Sequence, residues 1–407
     1  MKDESGWRGY GIMAVMVTAD VIVVGLGAVG SAALYQAAKL GAAVIGIDRF
    51  TPPHDQGSSH GESRITRQAI GEGREFVPLV LRSNEIWHEL EAASGRSLMT
   101  RNGCLVLAIP TMGGRHHGSQ SFLGDTVDAA QAFGIAHEVL GPDDLRQRFP
   151  QFHLQSGESA YFEPGGGFLR PELCVQTQIE LACGMGARLL TNEVVLEVHP
   201  ASNRVDVKTN RGEYEAGRVI LTVGPWISGF LPPESHEHFL VYRQTLCWFT
   251  VARNFERYVP KCFPVFIWLT GGGVHDMLYG FPAIDGPSGG VKIGTERYEE
   301  TVDPDHVPRE VARELVTGMY HDSIAPRFPD LGSDCLRAAT CLYTVTPDAK
   351  FVIDQADENV IFASACSGHG FKHAPAVGEA LVHRVLGLSS TLDLSPFDSK
   401  RLRNARA

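Results

Sequence analysis

DVIVVGLGAVGSAALYQAAKLGAAVIGID, residues 20–48, is the stretch on which the fold turns. Its first run is apolar and β-branched without alternation, the pattern of a strand covered on both faces. Gly25, Gly27 and Gly30 then complete GxGxxG. The first glycine makes the tight turn, the second lets the backbone approach a pyrophosphate, and the third lets helix and strand pack closely. The N-terminus of the helix that follows faces the phosphates. Gly41 stands where that helix should stop, a second apolar strand follows, and Asp48 ends it where a ribose would donate hydrogen bonds. A lone GxGxxG is a weak signal, but here strand, turn, helix, second strand and terminal acid agree on a dinucleotide-binding unit. The acid argues against a 2′-phosphate and does not separate NAD from FAD.

Farther along, GARLLTNEVVLEVHPASNRVDVKTNRGEYEAGRVILTVGPW (186–226) alternates apolar runs with Asn-Arg and Arg-Gly turns and reads as a β-meander. The run RVILTVG then returns toward glycine, as expected of a flavoprotein that inserts a meander into the dinucleotide fold. At 407 residues the chain exceeds one ordinary core. The reading is therefore α/β: a discontinuous Rossmann-like nucleotide domain over 17–99, 161–232 and 341–400, and an α+β substrate domain with a mostly antiparallel sheet over 100–160 and 233–340. Residues 1–16 are an N-terminal extension.

The formal charge is −11 and basic residues form no runs, which speaks against nucleic acid and anionic membrane surfaces. Small soluble substrates fit better. The eight cysteines include no CxxC and no zinc-type pairing, so a reducing cytoplasm is the expected setting. No stretch approaches the roughly 20 apolar residues needed to span a bilayer.

Four further stretches, GSSHGESRITRQAIGEGREFVPLVLRSNEIWHEL (57–90), YGFPAIDGPSGGVKIG (279–294), CLYTVTPDAKFVID (341–354) and SGHGFKHAPAVGEAL (367–381), appear in order. Together with the glycine fingerprint they resemble the monomeric sarcosine oxidase and N-methyltryptophan oxidase family, amine-oxidising flavoenzymes, over nearly the whole chain. The resemblance implies FAD held covalently by a thioether from a cysteine that begins C-x-Y-x-x-x-P-D. Cys341, with Tyr343, Pro347 and Asp348, matches that motif. A cysteine outside such a motif is better read as a small buried hydrophobe, and the other seven are so read.

By the same resemblance Arg67 and Lys372 are the pair that binds the substrate carboxylate, Arg as a planar fork and Lys as a point charge. Lys292 is the lysine that activates oxygen, where a fixed cation stabilises developing negative charge; a surface lysine on a strand edge is the plainer alternative. His60 and Arg64 lie beside the flavin, Tyr279 and Tyr343 near the substrate, and Gly368 and Gly370 join Gly25, Gly27, Gly30 and Asp48 in holding the cofactor. Two departures stand out. Ser59 precedes His60 where the family commonly has two histidines, and Glu296 occupies the place of a pocket histidine, either to hold a more cationic amine or to close against an arginine. His369 and His373 stand four apart but lack a third ligand, so no metal is expected.

The expected activity is FAD-dependent oxidation of an N-methyl amino acid by O2, giving the amino acid, formaldehyde and hydrogen peroxide, by a monomer. The alternatives are an oxidase of a cyclic or other secondary amino acid (pipecolate-like or fructosyl-amino-acid-like), a flavin dehydrogenase that passes electrons to a protein, and a flavin-bearing protein without catalysis.

Overall fold

In a computed structural model the chain is described over residues 17–109, 116–271, 273 and 276–404. The extension 1–16 lies outside the described residues. The fingerprint folds as read: strand Val17–Val24, helix Ala28–Lys39 and strand Val44–Ile47, with the helix ended by Gly41 at φ +80°. Strand Val17–Val24 is central, parallel to Val44–Ile47 on one side and to Glu213–Leu221 on the other.

The meander is present as strands Val195–Pro200, Val205–Thr209 and Glu213–Leu221. The third of these serves two neighbours. Its first half pairs antiparallel with the meander, and its second half, Val219–Leu221, runs parallel to Val360–Ser364. A meander strand thus becomes a strand of the nucleotide sheet, ending beside the glycine turn. Helix Ala28–Lys39 is covered by helix Ala374–Val385 at such close range that a Cβ on Gly378 would come 2.6 Å from that of Ala32.

A second eight-stranded sheet runs in the order Leu331–Val345, Leu240–Val251, Val291–Gly294, Met277–Phe281, Val265–Leu269, Cys104–Ala108, Ser159–Glu163 and Glu138–Leu140. It is antiparallel except where Val265–Leu269 lies parallel to Cys104–Ala108. A small third sheet is formed by Arg64–Thr66, Gly167–Leu169 and Met99–Arg101. Strands Leu331–Val345 and Ser159–Glu163 pass through the domain limits read at 340/341 and 160/161. Cross-strand pairing continues without a break from Leu246↔Ala339 to Leu240↔Val345 and from Cys104↔Glu163 to Ala108↔Ser159. Cys341 consequently belongs to the second sheet, paired with Gln244. Among the described residues no helix is long and apolar enough to cross a membrane.

Candidate active site

The nucleotide cleft is a cavity of about 270 Å³ walled by the glycine turn, Asp48, Glu193, Thr222 to Trp226 and Ala363 to Cys366. Gly25 has φ +83°, and a Cβ there would meet the Thr222 carbonyl at 2.7 Å; on Gly30 it would meet the Gly25 carbonyl at 1.8 Å. Neither position admits another residue without moving backbone. At Gly27 the nearest obstacle is only the Ser59 hydroxyl at 3.2 Å, which leaves the backbone open to a ligand. Ser59 Oγ accepts the Ala28 N–H at the start of the helix, 3.0 Å away. The smaller residue in place of a family histidine thus sits against the phosphate end of the cleft.

Asp48 is buried, and its carboxylate accepts the N–H groups of Leu26 at 2.7 Å and Phe50 at 2.8 Å. It therefore braces the glycine turn as well as lining the cleft, and each oxygen keeps a second lone pair for a ribose hydroxyl. The cradle, the covered acid and the open backbone at Gly27 fit a dinucleotide.

Ala28, Val29, Ser58, Ser59, Ala365 and Cys366 line both this cleft and a second cavity of about 120 Å³, so the two lie side by side. Gly368 and Gly370 shape the second cavity: a Cβ on Gly368 would come 2.6 Å from the His117 ring, and one on Gly370 1.8 Å from the Ala365 carbonyl. Tyr279 and Tyr343 line one wall with their hydroxyls 3.5 Å apart.

At the junction stands Arg64, whose Nη2 donates to the Ser58 carbonyl at 2.8 Å and to Cys341 Sγ at 3.3 Å. Burial alone would raise the Cys341 thiol, but the charges of Arg64 and His60 outweigh it and bring it to about 7. Cys341 is buried and lines neither cavity directly; its partners Arg64 and Ser58 do. Lys292 lies on an internal strand, so the strand-edge surface alternative fails: the side chain is 1% exposed. Its ammonium donates to the carbonyls of Gly61 at 2.7 Å and Ser63 at 2.8 Å and lies 4.6 Å from the Phe281 ring centre. Burial and the nearby Arg64 push its pKa well below that of a free lysine.

On the far wall Arg67, 1% exposed, leaves strand Arg64–Thr66 and is aimed by Glu163, which accepts the backbone N–H groups of Gln68 at 2.7 Å and Ala69 at 3.1 Å. Its guanidinium donates to the Ala69 carbonyl and pairs with Glu72 at 2.5 Å. Lys372 donates to the His369 carbonyl at 2.9 Å and lies 3.8 Å from Glu72; burial drops its pKa to about 8, with Glu72 resisting the fall. Arg67 and Lys372, more than 300 positions apart in sequence, thus meet around one carboxylate.

Glu296 closes against neither an arginine nor open space. Its Oε2 accepts from Tyr298 at 2.5 Å and meets His117 Nε2 at 2.7 Å. Burial works against its charge, but His117 and His116 outweigh it and hold the acid at about 2. The sequence reading missed Glu72, His116, His117 and Tyr298. Glu72 lies inside the quoted 57–90 motif and was within reach of it; nothing local marks His117 as facing residue 296.

Among the described residues Glu72, His116 and His117 form the one group of metal-ligand type, with ligand atoms within 4.8 Å of one another. The two rings stack at 3.8 Å, so their in-plane lone pairs run side by side instead of converging, and Arg67 and Lys372 flank the carboxylate. His369 and His373 are perpendicular at 6.0 Å and packed on Phe76 and Phe351.

A dinucleotide cleft beside a pocket of fixed cations and aromatic rings is the arrangement of a flavin-dependent oxidoreductase. Residues 20–384 match the family of FAD dependent oxidoreductases, and the chain belongs to it. It is 36% identical to monomeric sarcosine oxidase of Streptomyces avermitilis, over 96% of this chain and 99% of that one. To N-methyl-L-tryptophan oxidase of Salmonella dublin it is 32% identical, over 94% and 98%. In fold it is similar to NikD, an unusual amino acid oxidase essential for nikkomycin biosynthesis, with a TM-score of 0.78 at 23% identity over 94% of this chain and 98% of the other.

Proposed function

We propose that this chain oxidises N-methyl amino acids of the sarcosine or N-methyltryptophan kind, with O2 as acceptor, yielding the amino acid, formaldehyde and hydrogen peroxide. The observation that carries the reading is the meeting of Arg67 and Lys372 on the wall of a pocket that shares lining with the nucleotide cleft. The names of the relatives support the substrate class.

FAD, when bound, accepts the hydride equivalent from the carbon beside nitrogen and passes the electrons to O2. Everything else falls to the chain. Arg67 grips the substrate carboxylate as a fork and Lys372 adds a point charge, fixing the reacting carbon; such orientation is worth several kcal/mol of barrier. Tyr279 and Tyr343 close the pocket over the N-methyl group, and the apolar lining keeps water away. The amine must be neutral to react, and the cations Arg64, Arg67 and Lys372 around it favour loss of its proton. Lys292, whose burial favours the neutral amine, would take up a proton as negative charge develops and so stabilise that charge in the oxygen step. Cys341 carries the cofactor through a thioether, its thiol brought into the reactive range by Arg64 and His60.

The test is to offer the purified holoenzyme sarcosine, N-methyltryptophan and other N-methyl amino acids beside proline and pipecolate. Equimolar formaldehyde and peroxide from an N-methyl amino acid is the expected result. Turnover of only the cyclic amines, or reduction without peroxide, would overturn it.

A further inference from the structure

The Glu72 carboxylate sits where three cationic side chains converge. Oε2 pairs with Arg67 at 2.5 Å, and Oε1 lies 3.8 Å from both Lys372 Nζ and His117 Nδ1. That Nδ1 is buried and has no hydrogen-bond partner. The ring cannot swing away from it, because Nε2 is held by Glu296 at 2.7 Å and Tyr298 at 3.0 Å, and Gly368 packs directly behind. An imidazole locked on one edge, with its other nitrogen 3.8 Å from Glu72 and short of a hydrogen bond, is placed to donate to something that arrives.

We propose that His117 is the third cation of the substrate-carboxylate site, and that Glu296 and Tyr298 are positioning residues that hold its Nδ1–H toward the incoming carboxylate. The inference rests on the reading of Arg67 and Lys372 as carboxylate anchors and deepens it.

Electrostatics favour the role. Arg67 and Lys372 already face Glu72, so part of their charge is spent on that carboxylate, and a protonated His117 adds a further donor for an entering one. The surroundings keep that proton. Burial opposes the imidazolium, but Glu296 and then Glu72 outweigh it and lift His117 to about 9. The other titratable groups packed on the ring do not share the charge. Burial and the His117 charge push stacked His116 down to about 3, and burial holds His369, 5.1 Å away, well below its ordinary value.

Methoxyacetate, which has the carboxylate but no amine, probes the site without turnover. Its dissociation constant would be measured on wild-type holoenzyme, His117→Gln and Glu296→Gln from pH 6.5 to 10, by its perturbation of flavin absorbance. Losing one charge-assisted hydrogen bond should weaken binding at pH 7 about tenfold or more in His117→Gln. Because Lys372 titrates in both proteins, the ratio of wild-type to variant affinity isolates the ring: it should fall toward one above about pH 9. In Glu296→Gln the loss of affinity with rising pH should itself begin at lower pH than in wild type, since the carboxylate no longer holds the proton.

A ratio near one at every pH overturns the role. So does a ratio that is large but independent of pH, which would mark His117 as structural. If His117→Gln does not fold with flavin, Glu296→Gln decides alone, and an unshifted pH limb overturns the proposal. An enzyme that oxidises N-methyl amino acids yet shows no dependence on His117 refutes this inference only; one that neither turns them over nor binds methoxyacetate refutes the proposed function first and this inference with it.

Discussion

Arg67 and Glu72 form an ion pair of 2.5 Å with both side chains essentially out of solvent. The pair holds Arg67 on the pocket wall before any substrate arrives, with the guanidinium Nε still without a partner. Truncating Arg67 removes the fork and leaves Glu72 facing Lys372 and His117 alone. Arg67→Ala should therefore lower kcat/KM for sarcosine about 100-fold or more, as expected when a bidentate charged contact of several kcal/mol is lost. The same variant should change little toward dimethylamine, which has no carboxylate. Steady-state kinetics with both amines checks this, and equal losses would remove Arg67 from the anchor.

Cys341 carries a thiol held at about 7 by Arg64 and His60 against the effect of burial. A thioether survives unfolding. Acid-precipitated wild-type protein should stay yellow, whereas Cys341→Ser should release its flavin to the supernatant. Flavin retained by the serine variant, or a Cys341 peptide of unmodified mass from the wild type, contradicts the tether.

Lys292 donates to two backbone carbonyls and faces no carboxylate within ion-pair distance among the described residues. No carboxylate therefore competes with a negative charge that develops later beside it. Lys292→Met should slow reaction of the substrate-reduced enzyme with oxygen by about 100-fold or more, the usual scale for removing one preorganised charge. Anaerobic reduction by substrate should fall far less. Stopped-flow measurement of the two half-reactions separates them, and comparable slowing of both would make Lys292 a substrate or structural residue.

The Glu296–His117 contact also sets a pH window of stability. His117 has a folded value near 9 against 6.5 when free, so its contribution is complete below about pH 6.5 and fades as pH rises through 9. Glu296, depressed to about 2 from 4.5, contributes above about pH 4.5 and fades as pH falls through 2. The two windows overlap between about 4.5 and 6.5. Glu296→Gln should cost about 1–3 kcal/mol there, as for a buried hydrogen-bonded charge left without its partner, and progressively less toward pH 9. The difference in melting temperature between wild type and variant, measured from pH 5 to 9.5, should shrink as pH rises. A constant or growing difference would show that the pair is not the source.

The sequence by itself determined the nucleotide unit, the meander and the motif residues, because each is written in a short window. Gly25, Gly27, Gly30 and Asp48 act on backbone within the same thirty residues, and strand periodicity is a property of neighbours. The inserted meander was legible from its turns for the same reason, and Cys341, Arg67 and Lys372 were recognisable through the motifs that surround them. Only the tertiary structure decided which of these residues meet. Strands pass through the limits read at 340/341 and 160/161, because pairing with Leu240–Val251 and Cys104–Ala108, which composition does not record, sets how far each strand runs. Glu296 could be read as a site for a cationic amine or an arginine; the histidine that takes it lies 179 positions away, in a loop without periodicity. Such a contact depends on loops closing over two sheets, and no local propensity records it.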